Sequence, residues 1–283
     1  ATQYDFIASA MYANSVQCLI NAGKVLGYDV SEYEKLHENI VIAFNDNFME
    51  DGLPCLSKHV SCRIELNSKE QQIVRAITQT SLTLILKFKL YRTEEVRKKV
   101  AAKLVELIHE NGDRLSTGFV GTPYLLHVLS ENGYTDVAYT LLLQEKMPSW
   151  LYSVNHGATT MWERWNCVQE DGAFSDVSMT SFNHYAYGAV ADWLYGVVAG
   201  IKSLADGAGY EHISLAPKPS EKLGFVNCKV ETAHGAVVSK WYYGKEFIHY
   251  EFEIPSGTTA ELSLVDGTKK TLTSGKYLFT TKI

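Results

Sequence analysis

Glu163 sits between Trp162 and Trp165 and beside Arg164, in the run Gly157-Ala158-Thr159-Thr160-Met161-Trp162-Glu163-Arg164-Trp165. A second run, Ser181-Phe182-Asn183-His184-Tyr185-Ala186-Tyr187-Gly188, sets a histidine among aromatic rings. Sugar sites have this composition. Aromatic faces stack on the apolar C–H faces of a pyranose, while charged and amide groups bind hydroxyls or move protons. A carboxylate between apolar walls is also a group tuned for proton transfer. The bland alternatives stay open at this level. A helix glutamate paired with Arg164 would account for Glu163, and a satisfied core histidine for His184. Trp150 and Tyr152 read as core or as a sugar platform, Asp176 as a helper or a loop cap, and Arg114 as a carboxylate ligand or a surface residue.

These residues need a scaffold, and hydrophobic periodicity supplies it. Tyr4 to Leu26 has the three- and four-residue spacing of a helix, closed by Gly27, which adopts a positive φ without strain. Ser31 reads as the N-cap of a second helix running to about Met49, with Glu34 completing a capping box. Asp51 to Ser68 is irregular, with room for a short strand. Helices are expected at Gln71–Tyr91 and Glu94–His109, the latter closed by Asn111-Gly112. A glycine-rich entry, Thr117 to Pro123, leads into a helix ending near Asn132-Gly133, and Thr135–Gln144 follows. The stretch around Glu163 reads as short helices and loops, and Ser181–Ile201 as an apolar helix.

Beyond Gly209 the period shortens to two. Strands are expected at Val226–Val230, Ala236–Tyr243, Phe247–Ile254, Ala260–Val265 and Gly275–Thr280, with turns at Gly244, Ser256-Gly257 and Asp266-Gly267. The chain therefore divides into paired helices over 1–208 and a small β-domain over 209–283. Helical hairpins of this kind stack into a bundle, a superhelix or a closed α/α toroid, and the alternation of long and short loops favours the toroid.

Composition narrows the function classes. A formal net charge of −6, with no long basic run, argues against duplex nucleic acid. The most apolar stretch, Ala189 to Leu204, is interrupted by Asp192 and Lys202, so no membrane span is expected. Five cysteines, Cys18, Cys55, Cys62, Cys167 and Cys228, are odd in number and scattered, which argues against a disulfide framework, and their spacing offers no metal set. No serine-nucleophile, phosphate-loop, HExxH or dinucleotide pattern occurs.

Four ordered motifs now carry a resemblance. Leu115-Ser116-Thr117-Gly118-Phe119-Val120-Gly121-Thr122-Pro123-Tyr124-Leu125-Leu126, then Ser149-Trp150-Leu151-Tyr152, then the Glu163 run, then the His184 run are similar to the bacterial α-L-rhamnosidases of glycoside hydrolase family 78. Ile77-Thr78-Gln79-Thr80 resembles a helix of the same family. The resemblance implies a mainly α fold with a β appendage: a partial (α/α)6-barrel followed by an antiparallel β-sandwich. It implies hydrolysis of terminal α-L-rhamnosyl groups from a rhamnose-containing oligosaccharide or glycoside, with inversion and without a cofactor. Inversion takes one carboxylic acid for the leaving oxygen and one carboxylate for a water on the opposite face. By resemblance Glu163 is the general base. His184, Asn183, Arg164, Trp162 and Trp150 are sugar contacts or walls.

The family's general acid lies in an acidic, arginine-containing motif early in the barrel, and no segment here matches it. A complete toroid needs twelve helices, against roughly seven or eight expected from this pattern. The expectation is a C-terminal portion of a longer enzyme, inactive when isolated, with an apolar groove and barrel surface open to self-association. The alternative function is a non-catalytic rhamnose-binding or structural module. A different α/α-toroid enzyme, such as a lyase, ranks third, since no basic pocket for a uronate is visible in the sequence.

Overall fold

The computed structural model describes residues 1–57, 75–176 and 180–283. Contacts divide them into two compact units, Ala1–Tyr187 and Gly188–Ile283. Cys62 and the start of the helix expected from Gln71 lie outside the described residues.

The first unit is built of helical hairpins. Helix α1 (Tyr4–Val25) pairs with α2 (Ser31–Phe48), α3 (Gln79–Lys87) with α4 (Glu94–Glu110), and α5 (Thr122–Glu131) with α6 (Thr135–Leu142). The first helix of each pair also contacts the next, α1 with α3 and α3 with α5, so they form a continuous inner row. Helix α3 shows what that position demands. Residues Gln79 to Leu86 are all buried. Its polar members are spent internally: Gln79 donates to the Arg114 carbonyl (3.0 Å) and accepts from the Ser116 N–H (2.8 Å). Phe6, Phe44 and Phe48 make an aromatic cluster between α1 and α2, with centroids 4.9–5.5 Å apart.

Chain reversal at three helix ends has a common device. After α1, Tyr28 N–H reaches back to Gly23 O (2.9 Å) and Gly27 N–H to Lys24 O (3.2 Å), with Gly27 at φ +73°. The same double bond pattern closes α4 at Gly112 and α5 at Gly133. Each satisfies two otherwise orphaned carbonyls while turning the chain into a left-handed residue that favours glycine.

Several expectations are corrected. Ser31 is the first helical residue of α2 and does not cap it. The residue ahead is Val30, and Asp29 Oδ1 instead accepts the Ser31 N–H (3.0 Å). Residues 75–78 are not helical; Thr78 caps α3 through a reciprocal pair with Ser81, so that helix begins at Gln79. The irregular stretch after α2 opens with a two-residue hairpin, β1 (Met49–Glu50) against β2 (Leu53–Pro54). The apolar helix expected over 181–201 breaks up. Ser181–Tyr185 is loop, because its backbone groups bond to the Glu163 segment. A 3-10 turn (Ala186–Ala189), a short helix α8 (Val190–Trp193) and a π turn (Leu194–Val198) follow, until Gly200 at φ +75° ends the run.

The second unit holds two four-stranded sheets. One runs β10 (Gly275–Lys282), β7 (Phe247–Ile254), β6 (Gly235–Tyr243), β5 (Phe225–Thr232), antiparallel throughout. Burial alternates residue by residue along β7, with Ile248, Tyr250, Phe252 and Ile254 inward, as period two requires. The other sheet runs β3 (Ile201–Ser203), β4 (His212–Leu215), β8 (Thr259–Ser263), β9 (Lys269–Leu272). Strands β3, β4 and β9 were not expected from sequence. The β4–β8 pair is parallel, not antiparallel. Three strands of the other sheet separate the two, which gives the long connection a parallel pair needs. Trp241, fully buried, donates its indole N–H to Val198 O (2.8 Å), and Ser239 donates to Ala199 O (2.6 Å).

Candidate active site

Two loop segments of the first unit run side by side. Glu163 N–H donates to Ser181 O (2.9 Å), and Ser181 N–H returns a bond to Glu163 Oε2 (2.8 Å). His184 N–H donates to Met161 O (2.8 Å), and the Thr160 hydroxyl donates to Phe182 O. The two motifs singled out in the sequence are therefore one structure. Beneath them Cys167, fully buried, receives the Arg164 N–H (3.4 Å) and donates to Ser181 O (3.7 Å). Helix α7 (Trp150–Asn155), capped by the Ser149 hydroxyl on Tyr152 N–H (3.0 Å), leads into this loop pair.

Glu163 is half-buried. One carboxylate oxygen is fixed by the Ser181 amide, while Oε1 has no hydrogen-bond partner among the described residues. A base needs this division: one oxygen sets the orientation, and the other is left to take a proton. His184 is also half-buried, stacked between Phe119 (4.7 Å, 7°) and Tyr185 (5.3 Å, 6°). Its Nδ1 accepts from Ala186 N–H (3.2 Å), which assigns the proton to Nε2 and makes that atom a donor. Phe119 in turn lines a depression of about 1030 Å³ at the starts of α1 and α3, together with Tyr4, Ile7, Gln79, Thr80 and Val120.

The remaining predicted residues fall in different environments. Trp162 is 5% exposed and meets Phe182 edge to face (5.4 Å, 89°). Trp150 is 7% exposed; its indole N–H donates to Tyr187 O (3.0 Å) and its ring meets Trp165 edge to face (5.4 Å). Either ring has only a margin to offer a ligand. Asn183 is exposed, with its side-chain amide unpaired among the described residues. Arg164 is half-buried and lines a pocket of about 370 Å³ with Met147, Pro148, Trp165, Asn166 and Tyr187. Of the residues left open, Tyr152 spends its hydroxyl on Val168 O (2.9 Å), and Arg114 donates to Met147 O (3.3 Å). Asp176 is exposed, with its carbonyl accepting the Thr180 hydroxyl (2.6 Å).

Tyr187 and Asn166 were not singled out from sequence. Tyr187 stacks on Trp165 (3.8 Å, 15°). Burial, with the Cys167 thiol next in weight, pushes its hydroxyl up to about 12; the Arg164 guanidinium opposes the shift and the Glu163 carboxylate adds to it. Its place, three residues after His184 in an aromatic run, was a usable signal. Asn166 directly follows the Glu163 motif and carried none.

The family model described as the bacterial α-L-rhamnosidase six-hairpin glycosidase domain matches residues 1–198, and the model of the bacterial α-L-rhamnosidase C-terminal domain matches residues 200–279. The chain belongs to the bacterial α-L-rhamnosidase family. It is 36% identical to an α-L-rhamnosidase of Formosa agariphila over 99% of its length, covering 28% of that protein. An α-L-rhamnosidase of Streptomyces avermitilis is 37% identical over 92% of the chain, with 23% of the relative covered. The chain thus spans about a quarter of the length of the relatives it matches. Among solved structures, the Streptomyces avermitilis α-L-rhamnosidase complexed with L-rhamnose superposes with a TM-score of 0.86 at 33% identity, covering 98% of this chain and 27% of that one. The native enzyme from Aspergillus terreus gives 0.85 at 31% identity, with 96% and 30% covered. The six-hairpin fold followed by a C-terminal β-domain, expected from the motifs, is the fold of this family.

Proposed function

We propose that this chain carries the base half of an inverting α-L-rhamnoside hydrolase. Glu163 removes a proton from the attacking water while a carboxylic acid outside the 283 residues protonates the leaving oxygen. The observation that supports this most is the carboxylate itself: Oε2 is held by Ser181 N–H, Oε1 is unspent, and the loop is clamped to the His184 segment. In the transition state the anomeric carbon carries positive charge. Water attacks it from the face opposite the leaving group, and the base must stand on the water's side. An anchored carboxylate does this without having to be reoriented during the reaction.

His184 offers its Nε2–H to a sugar hydroxyl, Asn183 adds an unpaired amide, and Arg164 stands at the rim. Trp162 and Trp150 wall the site from below, touching the sugar with an edge. The domain reading that goes with this is a portion of the (α/α)6-barrel over 1–208 and a β-sandwich over 209–283. The longer relatives that the chain matches, one an α-L-rhamnosidase complexed with L-rhamnose and one an α-L-rhamnosidase by name, support terminal α-L-rhamnose as the group released.

The test is the anomer formed. Proton NMR during hydrolysis of an α-rhamnoside by the full catalytic protein should show β-L-rhamnose first, with mutarotation following. First appearance of the α anomer would refute inversion. The 283-residue chain alone should turn over a natural rhamnosyl disaccharide about two to four orders of magnitude more slowly, the usual contribution of a general acid. Comparable rates for the two proteins would refute the division of the acid and base.

A further inference from the structure

The pocket beside the Glu163 loop is unusual in what it leaves unspent. Its polar side chains are Arg164, Asn166 and Tyr187, and its apolar walls are Met147, Pro148 and the Trp165 ring. Among the described residues no hydrogen bond or ion pair engages the Arg164 guanidinium, the Asn166 amide or the Tyr187 hydroxyl. Among the described residues no acidic side chain lines the pocket. The chain has an excess of acidic groups, at −6, and among the described residues eight other cations, such as Arg92 and Arg97, are paired with carboxylates. A half-buried guanidinium carries a desolvation cost, and none of the described residues pairs with it to offset that cost.

We infer that this pocket binds the carboxylate of an acidic pyranose, a hexuronate, with Arg164 as its anchor. A guanidinium presents two parallel N–H groups that match a carboxylate. Asn166 and Tyr187 supply donors for the remaining lone pairs or ring hydroxyls. The phenol stays a neutral donor because its proton is held well beyond neutral pH. Met147, Pro148 and Trp165 present apolar surface to the C–H face of a ring. The volume, about 370 Å³, falls at the small end of ligand pockets, which span roughly 300–1,000 Å³, and suits one sugar. Arg164 adjoins Glu163 in the chain, so the acidic sugar sits next to the proposed base. This deepens the rhamnosidase reading by naming an acidic residue of the substrate. It rests on that reading only for the word substrate; the binding itself stands on the pocket.

The experiment is a titration of the full chain with methyl β-D-glucuronide, using methyl β-D-glucoside as the uncharged control, followed by tryptophan fluorescence and calorimetry. The glucuronide should bind at least about tenfold more tightly, and added salt should weaken it. Arg164→Gln should erase the difference between the two sugars, and Arg164→Lys should keep part of it. Tyr187→Phe should weaken the glucuronide without equalising the pair, which keeps the proposal testable if the glutamine variant fails to fold. Free L-rhamnose should not displace the glucuronide. Equal binding of the two sugars, or discrimination retained in Arg164→Gln, would overturn the assignment. So would full displacement by L-rhamnose, which would make this the rhamnose pocket, or equal displacement by sulfate, which would make it a simple oxyanion site. Failure of Glu163 as the base would appear only in the anomer and rate measurements and would leave these results unchanged.

Discussion

Glu163→Gln separates the chemistry of the carboxylate from its structural role. The amide is nearly isosteric, and its carbonyl can still accept the Ser181 N–H that Glu163 Oε2 accepts at 2.8 Å. The Glu163 N–H to Ser181 O bond belongs to the backbone and is untouched. What changes in the folded state is one charge-assisted bond becoming neutral. Such bonds contribute about 1.5–3 and 0.5–1.5 kcal/mol respectively, so the expected cost is about 1 kcal/mol, or a few degrees in Tm. The catalytic loss is of another size. Without a proton acceptor at Oε1, the rate should fall by about two to four orders of magnitude, roughly 3–5 kcal/mol of barrier. Initial rates on an aryl α-rhamnoside in the full catalytic protein, beside thermal unfolding, compare the two directly. Glu163→Ala adds a control: azide needs no deprotonation and should restore turnover, yielding the inverted glycosyl azide. A Glu163→Gln protein that keeps a tenth or more of the activity would refute the role of base. A loss of activity that merely follows a loss of folded protein would do the same.

Other outcomes follow from single contacts. Burial raises the Tyr187 proton affinity from 10 to about 12, so its contribution to stability is complete below pH 10 and is lost as pH climbs towards 12. The loss is on the order of 3 kcal/mol, and urea midpoints of Tyr187→Phe should fall less steeply over that range than those of the native chain; equal slopes would contradict it. Gly200→Ala should destabilise the second unit by about 1–3 kcal/mol or more in chemical denaturation, because φ is +75° and a Cβ would lie 2.1 Å from Pro217 N. Leu104→Ala, in a fully buried position of α4, should cost about 2–5 kcal/mol by the same measurement. Ser149→Ala removes the cap of α7 and should cost about 1 kcal/mol, with hydrogen exchange rising first at Tyr152.

What was legible in the sequence follows the range of the forces involved. Helices α1, α2, α4 and α6 and strands β5, β7, β8 and β10 bury one face more than the other, and that period is written locally. Helix α3 is buried on every side, so it has no period to read, and its start is fixed by a Thr78–Ser81 reciprocal cap rather than by hydrophobicity. The stretch over 181–201 misled for a related reason. Apolar content there reflects burial, whereas its backbone bonds go to a segment some twenty residues upstream, as Glu163 N–H to Ser181 O shows. Strands β3, β4 and β9 have three or four residues each, too few to display alternation. Composition singled out the Glu163 and His184 motifs and the resemblance gave them roles, but only the paired loops show why they must occur together.

That pairing also bears on how the two motifs divide their work. His184 is oriented by its own backbone bond to Met161, by Ala186 N–H on Nδ1 and by two flanking rings. Glu163 is oriented by Ser181, the first residue of the partner loop. Neither side chain is positioned by contact with the other; both are positioned by the seam between the loops. Cys167 sits under that seam and bonds to both sides of it. A substitution that loosens the seam without touching either side chain, such as Cys167→Ala, should therefore lower the order of both at once. One that removes a side chain, such as His184→Ala, should leave the Glu163–Ser181 clamp in place. The site behaves as one backbone unit carrying two independent side chains, so the effects of changes at Glu163 and His184 on folding should add, even where their effects on turnover do not.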